Sequence, residues 1–212
     1  MNGGAWVLLV LAATAAAGDW IAVQRRQRTL EYVCKPLTLV LLMGVAAAVD
    51  VDHAGVRNWF LLALGLSLLG DVVLMIPKDW FIPGLAAFLM AHVAFVVGLW
   101  VDGVSILAFV IGLGLAGLAA VVIGGRIIDA VRAGDHPSVA VPVGAYITVI
   151  WIMVASATGT EEPFAVGGAA LFFCSDALIA WERFVKPRVW HRLAIIVTYH
   201  AAQAGLTLSL VT

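Results

Sequence analysis

The chain has 212 residues, 63% of them hydrophobic and 12% charged, with a formal net charge of −1 and a mean hydropathy of +1.06. Soluble domains are only about half apolar, so this composition excludes an ordinary soluble globule and predicts a polytopic protein of the lipid bilayer. The balanced charge excludes a nucleic-acid partner, which would require a basic face.

Apolar runs of spanning length, about 17–25 residues each, follow one another from end to end. Cutting at polar and Pro/Gly-marked breaks places them at roughly 4–23, 33–50, 58–76, 81–101, 104–123, 138–158, 164–183 and 191–211. The expected fold is an all-α, polytopic transmembrane helical bundle of eight spans, one integral membrane domain over 1–212 with no separate soluble part. The first run passes Ala15-Ala16-Ala17, which resembles a signal-peptide cleavage site. No basic residue precedes it and Arg25, Arg26 and Arg28 follow it, so the run is read as an uncleaved span. Trp80 and Phe81 open the fourth run as interfacial anchors. Gly112, Gly114 and Gly117 in the fifth suit close helix packing. Glu161 and Glu162 fall in a loop and are expected only to be solvated. Cys34 and Cys174 lack metal-like spacing and read as free, buried thiols.

Orientation follows from the basic residues, which concentrate in the cytoplasmic connections of membrane proteins. Odd-numbered connections carry Arg25, Arg26, Arg28 and Lys35, then Lys78, then Arg126 and Arg132, then Arg183, Lys186, Arg188 and Arg192; even-numbered ones carry only Arg57. Both termini are therefore expected on the outer side of a cytoplasmic (plasma) membrane.

Two aspartates, Asp71 and Asp176, interrupt the third and seventh runs. Carboxylates inside a bilayer are costly and usually functional. Counting about 1.5 Å per residue puts both roughly 10 Å inside the cytoplasmic edge. Lys35 opens the second run from that side, and Arg192, Tyr199 and Gln203 share one face of the last run at helical spacing. Ser67 lies one turn before Asp71, Ser175 adjoins Asp176, and His92 and His200 lie nearby in depth. The polar groups thus converge on a cavity open to the cytoplasm. Asp19 is nearer the interface, where Arg25 or Arg26 would solvate it.

Three chemistries suit this set. Two carboxyl groups can act as general acid and base. His92, His200, Asp71 and Asp176 could instead hold zinc and generate a hydroxide. A proton-coupled carrier of a small amphiphile is the third reading, disfavoured because the polar groups gather toward one side.

An ordered set of segments carries a resemblance: Lys35-Pro36, SLLGD at 67–71, FIPGLAAFLMAHVAF at 81–95, GGAALFFCSDALIA at 167–180 and TYHAAQ at 198–203. Together they resemble the YhhN-type lysoplasmalogenase family, over most of the chain. The resemblance implies an eight-span hydrolase that cleaves the vinyl ether bond of a lysophospholipid substrate, releasing a fatty aldehyde and a glycerophospho-head group, without a cofactor or metal. It implies Asp71 and Asp176 as catalytic residues and His92 as a site residue. His200 stands where the family usually has a second tyrosine. The implied reaction resembles glycoside hydrolysis, with an acid and a base flanking an oxocarbenium-like transition state. Lys35 and Arg192 are placed for the substrate's phosphate, and Tyr199, Gln203 and His92 for orienting water or glycerol.

Overall fold

The computed structural model describes residues 1–51, 53–78, 80–135 and 137–211. It contains α1 (Gly3–Gln24), α2 (Arg28–Ala48), α3 (Ala54–Met75), α4 (Phe81–Asp102), α5 (Ile106–Ala133), α6 (Ala140–Gly159), α7 (Pro163–Ala180) and α8 (His191–Leu208). A 3₁₀ turn, Pro137–Val139, leads into α6, a π turn, Trp181–Val185, extends α7, and a second 3₁₀ turn, Ser209–Val211, closes α8. All eight helices are long and apolar enough to cross a membrane. The chain is an all-helical integral membrane protein.

Several helix starts are capped by the sequence itself. Asn2 accepts from the Ala5 amide at 2.9 Å, and Glu162 accepts from the Ala165 amide at 2.6 Å with Pro163 opening the helix behind it. These side chains satisfy amide donors that the first helical turn leaves without partners. Glu162 therefore does more than meet solvent, contrary to its reading as a solvated loop acid.

Two helices extend past their apolar runs. α2 begins at Arg28, so Lys35 lies within the helix rather than at its mouth. α5 continues to Ala133 and carries Arg126, Asp129 and Arg132 on helix, where hydropathy alone ends the span near 123. Hydropathy marks the apolar core of a bilayer, whereas helical hydrogen bonding continues until the backbone meets a breaker, here Gly134.

Consecutive helices pair as α1–α2, α3–α4, α5–α6 and α7–α8. Further packing of α2 on α3, α4 on α6, α6 on α7, and α8 on both α1 and α2 closes a ring. α5 stands outside it, held mainly by α6, with Leu107, Leu115, Leu118 and Val121 turned outward. Lipid is as apolar as leucine, so contact between helices depends on close fit. A Cβ at Gly112 would come within 2.7 Å of Thr158, and one at Gly117 within 3.0 Å of Trp151, whereas Gly114 has no such neighbour. Trp151 also donates its indole N–H to the Leu113 carbonyl at 2.9 Å. Between α7 and α8, a Cβ at Gly168 would lie 2.7 Å from the Leu206 nitrogen.

One end of the ring is filled with aromatic and aliphatic packing around Phe60 and Phe95, edge to face at 5.3 Å. Phe95 continues to Phe172 at 6.4 Å. Beyond Phe172 the interior becomes polar.

Candidate active site

Asp71 lies four residues before the end of α3 and Asp176 four before the end of α7. Each is surrounded differently. Asp71 is 1% exposed, with the Lys35 ammonium 2.9 Å from its Oδ1. The Tyr199 hydroxyl donates to its Oδ2 at 2.7 Å, and Lys35 Nζ also stands 5.6 Å over the Tyr199 ring. The early start of α2 carries Lys35 almost two turns inward, and the neighbouring glycine makes room behind the carboxylate. A Cβ at Gly70 would meet the Phe88 ring at 2.6 Å. A buried carboxylate with both an ammonium and a phenol has its charge matched, and removing one partner from such a pair costs about 3–5 kcal/mol.

Among the described residues, Asp176 has no such counter-charge in contact. The Tyr146 hydroxyl donates to its Oδ2 at 2.6 Å. The His92 Nε2 lies 3.5 Å from the same oxygen without forming a hydrogen bond. The fully buried imidazole packs edge-on against Tyr146 at 5.2 Å and Phe172 at 4.6 Å. Phe172 in turn meets Tyr199 at 5.5 Å. One aromatic ring thus separates the Asp71–Lys35–Tyr199 group from the Asp176–Tyr146–His92 group.

The remaining sequence candidates divide. Gln203 is fully buried one turn beyond Tyr199 on the same face. Arg192 is bound through one terminal nitrogen to both Glu31 oxygens, at 3.1 and 3.2 Å. Ser175 turns from the site and donates to the Ile195 carbonyl at 3.1 Å, joining α7 to α8. Ser67 is buried but makes no hydrogen bond to Asp71. Cys34 is half-buried and Cys174 exposed, both free, so the expectation of two buried thiols holds for neither.

Asp19 corrects a second expectation. It is wholly buried rather than solvated by arginine, and its Oδ2 lies 3.9 Å from His200 Nε2. The Trp20 indole donates to His200 Nδ1 at 3.2 Å. That bond makes Nδ1 the acceptor, so a neutral His200 carries its proton on Nε2, the nitrogen facing Asp19. His200 is therefore committed to α1, apart from His92 and Asp176. The four residues of the zinc reading do not assemble, and among the described residues no three His, Cys, Asp or Glu side chains are arranged to hold a metal.

Two cavities meet beside these groups. An apolar one runs between α4, α5, α6 and α7, with Tyr146 and Asp176 as its polar wall. A polar one is lined by Glu31, Lys35, Glu182, Arg183 and Arg192. Leu74, Phe81 and Ile179 line both. Asp71 is on neither wall and sits behind Lys35 and Tyr199.

Sequence reasoning overlooked Tyr146, Glu31 and Arg183. Tyr146 sits alone in the apolar run VPVGAYITVIW. Its hydroxyl was the available signal, since a tyrosine placed deep in a span needs a partner for its O–H. Glu31 and Arg183 were legible only as interfacial charges.

Fold and site together define an eight-span membrane bundle in which one carboxyl group, Asp176, lines an apolar cavity that meets a polar one, and a second, Asp71, lies behind Lys35 and Tyr199. The chain belongs to the YhhN family, whose model matches residues 30–210. It is 35% identical to the human lysoplasmalogenase TMEM86B over 150 residues, which are 69% of this chain and 61% of the human protein. It is 33% identical to the rat lysoplasmalogenase TMEM86B over 83% of this chain and 70% of that protein. A lysoplasmalogenase of Mycobacterium bovis is 30% identical over 84% of this chain and 69% of its own length. The matched segment thus spans less than two thirds of the human relative. No solved structure matches the chain.

Proposed function

We propose that this protein is a lysoplasmalogenase, hydrolysing the vinyl ether of a 1-alkenyl lysophospholipid by paired carboxyl chemistry. The observation that carries this reading is the junction of the polar and apolar cavities beside Asp176. A lysolipid has the same division: a charged head, a glycerol, and one hydrocarbon chain attached through the bond to be cut. The names of the similar proteins support the choice of that bond.

In this mechanism Asp176, whose contacts are a phenol and an imidazole, carries the proton and is the general acid. Tyr146 occupies Oδ2, which leaves Oδ1 for that proton. Transfer to the β-carbon converts the vinyl ether into an oxocarbenium ion. Asp71, charge-matched by Lys35, remains ionised; from behind Lys35 and Tyr199 it stabilises the cation and, through the Tyr199 hydroxyl that donates to it, takes up the proton of the attacking water. The hemiacetal then collapses to an aldehyde and the glycerophospho alcohol, so one water is consumed and both carboxyl groups are restored after proton exchange. Tyr199 holds Asp71 in place, and His92 and Gln203 orient water or glycerol. We also read the polar cavity as cytoplasmic and both termini as outer, from the distribution of basic residues.

The direct test is aldehyde release from a purified sample given 1-alkenyl lysophospholipid in detergent. Wild type is expected to release aldehyde, and Asp71→Asn and Asp176→Asn to lower kcat by about 10²–10⁴-fold each. Absence of aldehyde from wild type, with uptake of the intact lipid into vesicles instead, would replace this reading by transport.

A further inference from the structure

A third carboxyl group adjoins the Lys35–Asp71 pair, and the proton transfers make no use of it. Asp19 is the sole charged side chain of α1 and is fully buried. α1 and α2 pack tightly beside it: a Cβ at Gly18 would come within 3.2 Å of the sulfur of Cys34, the residue before Lys35. Among the described residues, neither Asp19 oxygen accepts a hydrogen bond. The groups that face it are Glu31, Cys34 and Lys35 from α2, Asp71 from α3, and Arg192 and His200 from α8.

The charges around Asp19 cancel in pairs. Lys35 is matched by Asp71 and Arg192 by Glu31, and a buried carboxylate without a counter-charge is costly. Asp19 and His200 are left to balance each other, either both neutral or both charged. Trp20 decides between these states. Its indole N–H donates to His200 Nδ1 at 3.2 Å, and that nitrogen accepts only while it carries no proton. An imidazolium has N–H on both nitrogens and would set donor against donor. The 3.9 Å from His200 Nε2 to Asp19 Oδ2 agrees, because an ionised pair of this kind closes to about 2.7–2.9 Å.

We propose that Asp19 keeps its proton because Trp20 holds His200 neutral, and that this makes Asp19 a positioning residue for Lys35. An ionised Asp19 would be a second anion competing for one ammonium. A neutral Asp19 leaves Lys35 to Asp71, which stays the base. Asp19 therefore acts through Lys35 and touches neither substrate nor water. Its part in turnover rests on the proposed function, whereas the protonation states do not.

The test reads protonation directly in the full chain in detergent, through the infrared band of protonated carboxyl groups. Asp19→Asn is expected to remove one such band from the spectrum at neutral pH. Trp20→Phe should remove the same band, since a freed Nδ1 lets the proton pass from Asp19 to His200. Trp20→Phe combined with His200→Leu should bring the band back. Nitrogen NMR of wild type, which needs no variant at Trp20, should show His200 neutral with its proton on Nε2. No band lost in Asp19→Asn, an imidazolium at position 200 in wild type, or a Trp20→Phe spectrum that keeps the Asp19 band overturns the proposal. Aldehyde release gives a second readout. Trp20→Phe should lower kcat about tenfold with little change in KM, and adding Asp19→Asn should restore most of it. A packing defect at Trp20 would not be rescued in this way, so a loss that Asp19→Asn leaves in place defeats the positioning role. Absence of aldehyde from wild type defeats the hydrolase reading and leaves the spectroscopic assignment standing.

Discussion

At the level of single residues, the two carboxyl groups differ by their neighbours rather than by depth. Asp71 has an ammonium and a phenol at 2.9 and 2.7 Å, Asp176 a phenol at 2.6 Å and an imidazole. One acid and one base in opposite protonation states predict a bell-shaped pH profile of kcat/KM. Activity rises as the base loses its proton and falls as the acid loses its own. The residual activity of Asp71→Asn should accordingly lack the acidic limb, and that of Asp176→Asn the alkaline one, as read from kcat/KM between about pH 4 and 9. Lys35→Met leaves a buried carboxylate unmatched and is expected to cost about 3–5 kcal/mol in reversible unfolding. Adding Asp71→Asn to it should restore most of that stability and none of the activity, a combination that separates the ion pair's structural weight from its chemistry. Tyr146→Phe removes the hydrogen bond that occupies Asp176 Oδ2 and leaves Oδ1 for the proton, and a fall of about 10–100-fold in kcat with little change in unfolding is expected.

At the level of elements, the helices matter as walls. α5 is peripheral to the ring, yet Ile123, Gly124 and Ile127 close one side of the apolar cavity. A Cβ at Gly124 would stand 3.1 Å from Ile147, so a large side chain there must turn into the cavity or push α5 away. Gly124→Phe is expected to raise KM for long-chain substrates at least tenfold while short-chain turnover stays near wild type. Equal effects at all chain lengths would mean that the chain lies elsewhere. Gly168, where α7 and α8 nearly touch, has no comparable slack. Gly168→Leu should destabilise the fold by about 1–3 kcal/mol through overpacking, visible as a lowered midpoint of unfolding whatever substrate is present.

At the level of the whole molecule, the arrangement is a ring of seven helices with α5 outside, a packed aromatic end around Phe60 and Phe95, and a polar end open through the two cavities. A ligand that bridges both cavities binds only the folded chain. A non-cleavable lysolipid at 100 times its Kd should therefore stabilise the fold by about 2.7 kcal/mol, and much less after Gly124→Phe. Much of this was legible in the chain. Eight spans follow from the bilayer's thickness and the apolar run lengths, and the cost of burying charge singled out Asp71, Asp176 and Lys35 without any knowledge of packing. Those are one-dimensional constraints, set by solvent. Tertiary structure alone decided which groups touch: that Lys35 belongs to Asp71 and Tyr146 to Asp176, that His200 and Asp19 form a separate pair, and that Arg192 is taken by Glu31. Helical periodicity fixes a residue's face and height, but not which neighbouring helix that face meets. Partners 30 to 180 residues apart are chosen by how glycine and aromatic surfaces fit between helices.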